Sequence, residues 1–141
     1  MIMCCKSEQN TIIYADDSES QYFDDYESPR FKWGLIDTTG AEVLAAIYDD
    51  IKDPLDLHHI PTSLNGKWSY INILGKPVVP HVYKSVETWT DNVGWARNFD
   101  DTYHIISDQS ISDTIKAEAV RPFSNGLAAI RHDGRWQYIN K

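Results

Sequence analysis

The sequence predicts an all-β fold built from a short array of repeats, and three observations support that prediction. Large rings recur at nearly constant spacing, with 35, 35 and 33 residues between Trp33, Trp68, Tyr103 and Trp136. Trp68 and Tyr70 alternate with Lys67 and Ser69, with the period of two that is typical of a strand with one buried face. Dipeptides that favour tight turns, Asn65-Gly66 and Asp133-Gly134, separate these stretches.

The first element, residues 1–30, is predicted to be an acidic leader with a partial repeat. Ile13-Tyr14 lies 34 residues before Ile47-Tyr48, a pair that recurs as Val82-Tyr83 after 35 more. The leader also holds a run in which aromatic residues interrupt acidic ones. Its members are Asp16, Asp17, Glu19, Tyr22, Phe23, Asp24, Asp25, Tyr26 and Glu27.

Three repeats follow at residues 31–65, 66–100 and 101–133, and residues 134–141 form a terminal strand. Each repeat reads as about three short strands, so residues 1–141 make one domain of about 3.5 units of about 35 residues. We expect a twisted open sheet, a solenoid or a barrel-like arrangement. One set of rings is predicted to line a shared core: Trp33, Trp68, Tyr103, Trp136, Tyr48 and Tyr83.

Two consequences follow for individual residues. A core tryptophan contributes several kcal/mol, so Trp68→Ala or Trp136→Ala is expected to destabilise the fold by about 3–5 kcal/mol. Gly34 leaves its face of the strand bare, and we expect a neighbouring stretch of chain to approach there.

These residues resemble the WG-repeat family of bacterial proteins. The match includes "KWGLID" at residues 32–37, "GKWSYIN" at residues 66–72, and above all "RPFSNGLAAIRHDGRWQYIN" at residues 121–140. The literal Trp-Gly pair occurs once, at Trp33-Gly34, and other residues follow the ring in the later copies. The resemblance implies an all-β repeat fold and binding roles. It carries no catalytic motif, so no functional residues transfer with it.

The net charge of −8 is concentrated in the first part of the chain. Residues 1–60 carry 13 acidic and 4 basic side chains, whereas residues 61–141 carry 8 and 9. An acidic surface repels nucleic-acid phosphates and anionic lipids, and it favours a basic partner. A membrane-spanning helix needs about 18 consecutive apolar residues, and no run in the sequence approaches that length. No apolar region of signal-peptide length precedes Lys6. We therefore expect a cytoplasmic protein that binds neither nucleic acid nor membrane.

No residue pattern predicts catalysis or a metal site. The five histidines are scattered, and none lies at zinc-finger spacing from cysteine or a carboxylate. Cys4 and Cys5 alone supply too few ligands, and the Asp-Asp pairs lack the spacing of a calcium loop. No nucleophile elbow, P-loop or dinucleotide fingerprint is present. We expect neither enzymatic activity nor a cofactor.

The favoured function is a non-catalytic protein-binding module. Its most concrete form is an acidic bacterial immunity protein that binds and occludes a cognate toxin, because many such toxins are basic and opposite charge speeds association. The candidate contact residues in the leader are Asp16, Asp17, Asp24, Asp25 and Tyr26.

Two alternatives remain open at the level of sequence. Trp89 and Trp95 lie outside the main ring series, so they are candidate surface contacts for a protein partner or for a glycan or other small ligand. The second alternative is a structural or oligomerisation role, since an open array exposes strand edges. The "HHIP" stretch, residues 58–61, also breaks the repeat and is a further place to look for function.

Overall fold

The computed structural model describes residues 31–141 in full and the backbone of residues 2–7. These residues form strands, turns and loops, and no helix occurs among them, so the all-β prediction is confirmed. The proposed partial copy at Ile13-Tyr14 lies outside the described residues. The strands are β1 (Ile2–Ser7), β2 (Phe31–Ile36), β3 (Glu42–Tyr48), β4 (Asp50–Ile51), β5 (Ile60–Leu64), β6 (Lys67–Ile71), β7 (Ser85–Val86), β8 (Gly94–Arg97), β9 (Tyr103–Ile106), β10 (Ala119–Val120), β11 (Leu127–His132) and β12 (Arg135–Asn140).

The described strands form four antiparallel sheets of three strands each. Their orders are β1-β2-β3, β4-β5-β6, β7-β8-β9 and β10-β11-β12. Each sheet contains one ring-bearing strand, a term we use for the strands that carry the repeated ring. The ring-bearing strands are β2 with Trp33, β6 with Trp68, β9 with Tyr103 and β12 with Trp136.

Hairpins join the middle strand of each later sheet to its ring-bearing strand. Asn65 and Gly66 close the β5–β6 hairpin with φ values of 54° and 80°, and Asp133 and Gly134 close β11–β12 with 49° and 74°. Positive φ at both central residues matches the right-handed twist of a two-residue hairpin, and Asn, Asp and Gly adopt it most readily. The predicted turn dipeptides are therefore confirmed as hairpin turns.

β1 takes the place in the first sheet that β5 takes in the second. Cys5 is the Cα partner of Trp33 in the antiparallel ladder, as Ser63 is the partner of Trp68. Residues 8–30 therefore connect the two strands of the first hairpin, at the position where β5–β6 and β11–β12 have two-residue turns.

After a ring-bearing strand the chain turns and runs back along it, in a stretch that we call the return segment. β3 is the first return segment, and Tyr48 is the Cα partner of Trp33. Residues 77–83 form the second and residues 111–115 the third, through bridges to β6 and β9. In the described residues β12 has no return segment and forms the outer edge of the fourth sheet.

The hydrophobic core is divided into three clusters, each built from two successive units. The first joins the first two sheets, the second joins the second and third, and the third joins the last two. A single three-stranded sheet cannot bury its own apolar face, so stacking on a neighbour stabilises both. The buried members are Leu35, Leu44, Tyr48, Ile51, Ile60 and Ile71 in the first cluster, Tyr70, Val79, Tyr83, Val86, Trp89, Ala96 and Ile106 in the second, and Val93, Trp95, Tyr103, Phe123, Ala128 and Ile130 in the third.

Gly34 permits the close approach that its sequence position predicts. A Cβ atom built there would lie 2.8 Å from the backbone nitrogen of Ala46 and 2.9 Å from the carbonyl carbon of Ala45. The register of the β2–β3 ladder also shifts between Trp33 and Leu35, so β3 bulges where it crosses the glycine. The expected neighbouring stretch is thus the first return segment.

Candidate interaction surface

The four repeated rings are not equally buried. Tyr103 lies in the core. Trp33 is partly buried against the first cluster, and Trp68 is partly buried against the second. Trp136, in contrast, is 47% exposed, so its predicted place in the core is wrong. The physical reason is the missing cover, because the described residues provide no return segment over β12.

A cation packs against three of these rings. The Lys52 ammonium lies 5.0 Å from the centre of the Trp68 ring, and the Arg121 guanidinium lies 4.8 Å from that of Trp136. Lys52 and Arg121 occupy the same repeat position, directly after β4 and β10. The Arg97 guanidinium, which comes from a different repeat position, lies 5.8 Å from the centre of the Tyr103 ring. Ring and cation attract through the ring's quadrupole, which allows the ring to sit at the rim of the core.

The residue two positions after the ring also differs in burial from one unit to another. Tyr70 is fully buried in the second cluster, whereas its equivalent Tyr138 is 75% exposed. Together with Trp136, Tyr138 gives the face of β12 two large exposed rings. Exposed aromatic side chains that lie close together are typical of protein interaction sites.

We expect Trp68→Ala and Trp136→Ala to differ in their effect on stability. The first should lower the free energy of unfolding by about 2–3 kcal/mol, since Trp68 is partly buried against the second cluster. The second should lower it by less than about 1 kcal/mol, as for other exposed positions. Urea denaturation of both variants measures the difference. Equal losses would contradict the observed gradient of burial.

Trp89 and Trp95 are not surface residues, and the prediction that they are exposed is wrong. Their exposed fractions are 4% and 1%. Trp95 donates its indole N–H to the Arg121 carbonyl at 2.9 Å and stacks on Phe123. Both rings depart from the repeat pattern because they pack between units. They offer no stacking platform to a glycan, and a role for either in partner binding stays a prediction.

His59 holds the "HHIP" stretch against the next unit. Its ring lies flat on Trp89 with centroids 3.7 Å apart, and its Nε2 lies 2.6 Å from an Asp108 oxygen. Burial by itself would raise the pKa of Asp56, but hydrogen bonds from the His58 and His59 backbone and from the His59 ring outweigh it and lower that pKa. These contacts account for the unusual sequence as a link between units.

One residue in each later sheet clamps the hairpin turn. It directly precedes the first strand of the sheet, and we call Asp49, Lys84 and Glu118 the clamp residues. Asp49 accepts the Gly66 backbone N–H at 3.2 Å, and Glu118 accepts that of Gly134 at 3.0 Å. Lys84 instead donates to Asp101 at 2.8 Å in the third hairpin.

The clamp residue Asp49 also reaches the first hairpin. Lys32, near the start of β2, donates to Asp49 at 2.5 Å. The end of the residue 8–30 connection and the second hairpin turn therefore lie on the same side of the molecule. We call this side, with the hairpin connections that it carries, the hairpin edge.

A shallow groove of about 370 Å³ lies on the hairpin edge between the third and fourth hairpins. A hydrogen bond from Lys84, assisted by the charge of Arg97, holds the pKa of Asp101 below its usual value. Hydrogen bonds from Thr102 do the same for Asp100. These two carboxylates are ionised at neutral pH, so they can accept hydrogen bonds from cationic groups. Its lining is Asp100, Asp101, Thr102, Lys116, Ala117, Glu118, His132 and Asp133.

The candidate contact residues of the leader lie outside the described residues. They are Asp16, Asp17, Asp24, Asp25 and Tyr26, and the described strands locate only the two ends of the connection that contains them.

A family of repeat proteins matches this chain. The family is described as the WG containing repeat, and its sequence model matches residues 33–54, 68–103 and 118–136. The chain belongs to this family. The predicted resemblance is thus confirmed, and WG-repeat membership suggests a β-repeat module for protein interaction. The family is not a known enzyme family.

The other comparisons give no further relative. No curated protein and no solved structure matches the chain. Among the described residues, no helix has the length and apolar character needed to cross a bilayer. Nor do three or more His, Cys, Asp or Glu side chains converge within that part of the chain in a way that could hold a metal ion.

Proposed function

We propose that this WG-repeat protein is a non-catalytic binding module of the immunity type, which acts in the cytoplasm and occludes a basic toxin. The observation that carries the proposal is the connection formed by residues 8–30. It joins β1 to β2 where the β5–β6 and β11–β12 hairpins turn in two residues. Connections longer than about 12–15 residues are uncommon within compact domains and commonly serve a function.

The composition of this connection suits a basic partner. Residues 8–30 carry seven acidic side chains and one basic side chain, and they include four aromatic residues, two of them adjacent. Opposite charge attracts a partner before contact and increases the association rate, and aromatic rings supply contact area once the complex forms. The connection accounts for most of the net charge of −8.

The scaffold favours such a role for the hairpin edge. The Lys32–Asp49 ion pair lies next to the connection and fixes the start of β2 to the second hairpin turn. Asp49 is almost fully buried, so water screens this pair weakly. A long insertion in a hairpin adds little loop-closure entropy, and binding residues are commonly carried on loops held by a rigid scaffold.

We expect neutralisation of the acidic connection to slow partner binding by about tenfold or more. The partner is first captured from source-cell lysate on the immobilised protein, identified by mass spectrometry and purified. Association rates are then measured by surface plasmon resonance at 50 and 300 mM NaCl. The test variant combines Asp16→Asn, Asp17→Asn, Asp24→Asn and Asp25→Asn.

The matched control makes the same charge change at four exposed aspartates outside the connection. It should reduce the association rate by less than about threefold, since a general change of net charge is a weaker effect than loss of contact charges. Equal effects of the two variants would contradict the proposed site. A partner that does not impair host growth when expressed alone would contradict the immunity role. The control combines Asp50→Asn, Asp53→Asn, Asp108→Asn and Asp113→Asn.

A further inference from the structure

We propose that the loop between β4 and β5 carries a second interaction surface, which fits an apolar pocket with a basic rim on a partner protein. The loop comprises residues 52–59 and includes both histidines of the "HHIP" stretch. The surface consists of Leu55 in this loop, Leu74 in the turn after β6, and the acidic side chains beside them. It does not involve residues 8–30, so either proposal can fail without the other.

Two leucines are highly exposed on neighbouring segments of the chain. Leu55 is 72% exposed, and Leu74 is 86% exposed, the highest value among the large hydrophobic residues that the structure describes. The two segments adjoin, because the Ile73 backbone N–H donates to the Leu57 carbonyl at 2.9 Å. A single exposed leucine needs no explanation, whereas apolar side chains grouped on one part of the surface indicate an interaction site.

The repeat does not require a leucine in the turn after the ring-bearing strand. The position of Leu74 is occupied by Thr39 in the first unit and by Gln109 in the third. Both of these residues are polar and exposed, as is usual for the tip of a turn. Leu74 therefore serves no purpose that the fold shares between its units.

Leu55 lies in the longest loop of its kind. This loop has eight residues, whereas the equivalent loops of the third and fourth sheets, residues 87–93 and 121–126, have seven and six. Leu57 already packs against the first cluster from the same loop. Leu55 is thus an additional apolar residue that the core does not use.

Side-chain contacts hold the loop in place before any partner binds. Asp56 accepts the backbone N–H groups of His58 and His59 at 2.7 and 2.9 Å. The His59 ring stacks on Trp89, and its Nε2 lies 2.6 Å from an Asp108 oxygen of the third unit. An ordered contact surface loses less conformational entropy on binding than a flexible one. The histidine contacts that depart from the repeat therefore position Leu55.

The turn that carries Leu74 is ordered in a similar way. The Asn72 side-chain oxygen accepts the backbone N–H of Leu74 at 3.0 Å and that of Lys76 at 2.9 Å. The Gly75 N–H donates to the Asn72 carbonyl at 2.8 Å. Both leucines thus project from backbone that its own hydrogen bonds fix.

The charges beside the leucines indicate the kind of partner. Asp53 and Asp56 flank Leu55, and Asp108 is exposed where the third unit meets the loop. Residues 52–59 and 72–76 carry one exposed lysine, Lys76. An apolar pocket with a basic rim therefore complements both the leucines and the surrounding charge.

This surface lies away from the hairpin edge. β6 begins directly after the Asn65-Gly66 hairpin turn and ends directly before Asn72. Its five residues span about 17 Å, so the two surfaces are at opposite ends of one strand. The inferred contact therefore uses a different part of the molecule from the function proposed above.

Site-specific cross-linking tests whether a partner contacts Leu74. The whole chain is purified with the photoreactive residue p-benzoylphenylalanine in place of Leu74 and is irradiated in source-cell lysate. The matched control carries the same residue in place of Thr39. We expect a cross-linked protein that is at least about tenfold more abundant with the Leu74 replacement. Mass spectrometry should map the cross-link to apolar residues flanked by lysine or arginine.

Binding of the purified cross-linked protein then tests both leucines and the charge. We expect the double variant Leu55→Ser, Leu74→Ser to bind at least about tenfold more weakly than the wild type in calorimetry. Asp53→Lys should weaken binding by about threefold or more at 50 mM NaCl and by less at 300 mM.

Two control variants should bind within about twofold of the wild type. Ile47→Ser removes an exposed apolar residue of β3 that lies outside the surface. The second control is the variant with four substitutions in the connection, because this contact does not use residues 8–30. The melting temperature of the double serine variant should lie within about 2 °C of that of the wild type, since both leucines are exposed.

Four results would overturn the proposal. The first is no excess of cross-linking with the Leu74 replacement over the Thr39 replacement. The second is equal affinity of the captured protein for the wild type and the double serine variant. The third is a cross-link to a second copy of this chain, which would then be the occupant. The fourth is a fall of more than about 5 °C in the melting temperature of the double serine variant, because the leucines would then be covered within the chain.

Discussion

Replacing Tyr70 by alanine is expected to lower the free energy of unfolding by about 3–5 kcal/mol. The side chain is fully buried, and its ring meets the edge of Trp89 at a centroid distance of 5.0 Å. Burial raises the pKa of its hydroxyl well above the ordinary value, so the group stays protonated. It donates to the backbone carbonyl of Glu87 and lies 3.1 Å from that of Trp95. Alanine would leave a cavity and remove the hydrogen bond to the Glu87 carbonyl, whereas the Trp95 carbonyl would still accept the Glu87 backbone N–H.

Tyr138→Ala is the matched control, because Tyr138 occupies the same repeat position but is exposed. Tyr138→Ala should change the free energy of unfolding by less than about 0.5 kcal/mol. Denaturation in urea, followed by tryptophan fluorescence and by circular dichroism, measures both variants. A Tyr70→Ala protein as stable as Tyr138→Ala would show that stacking on the next unit does not bury this position in solution.

Gly34→Ala is expected to destabilise the fold by about 3 kcal/mol, the upper part of the usual range for overpacking. The new methyl group would meet backbone atoms of β3, the nearest of them the Leu44 carbonyl oxygen. Backbone in a paired strand cannot move aside as a flexible side chain can. Either β3 shifts away from β2 or the bulge is lost, and both weaken the first cluster.

The repeat again provides the control. Gln137 follows Trp136 as Gly34 follows Trp33, but it is exposed on a strand with no return segment among the described residues. Gln137→Ala should change stability by less than about 0.5 kcal/mol. Thermal melts of the two variants compare them directly. If Gly34→Ala has the same melting temperature as the wild type, glycine is not required for the close approach of the return segment.

The repeat could be predicted from the sequence because its signals are local sequence patterns. Ring spacing located all four ring-bearing strands, and Asn65-Gly66 and Asp133-Gly134 located two hairpin turns. Alternation around Trp68 correctly marked β6 as a strand. All of these signals depend on residues within a few positions of one another, which is why sequence alone could carry them.

Burial could not be predicted in the same way, because it depends on the neighbouring unit. Tyr70 and Tyr138 have nearly identical local sequences, yet one is in the core and the other is exposed. Trp89 and Trp95 looked like departures from the pattern, whereas they fill the space between successive sheets. That the described residues hold no return segment for β12 likewise emerges only when its pairing is compared with that of β6 and β9.

The division of the core into three clusters has a consequence for how such a chain can change its length over evolution. Each interface joins one set of positions in a unit to another set in the next, so the second and third units carry both complementary halves. Duplicating or deleting the stretch between two successive hairpin turns keeps these halves matched and creates no new kind of interface. Recombination at the turns can therefore add or remove units while the surrounding sequence stays as it is.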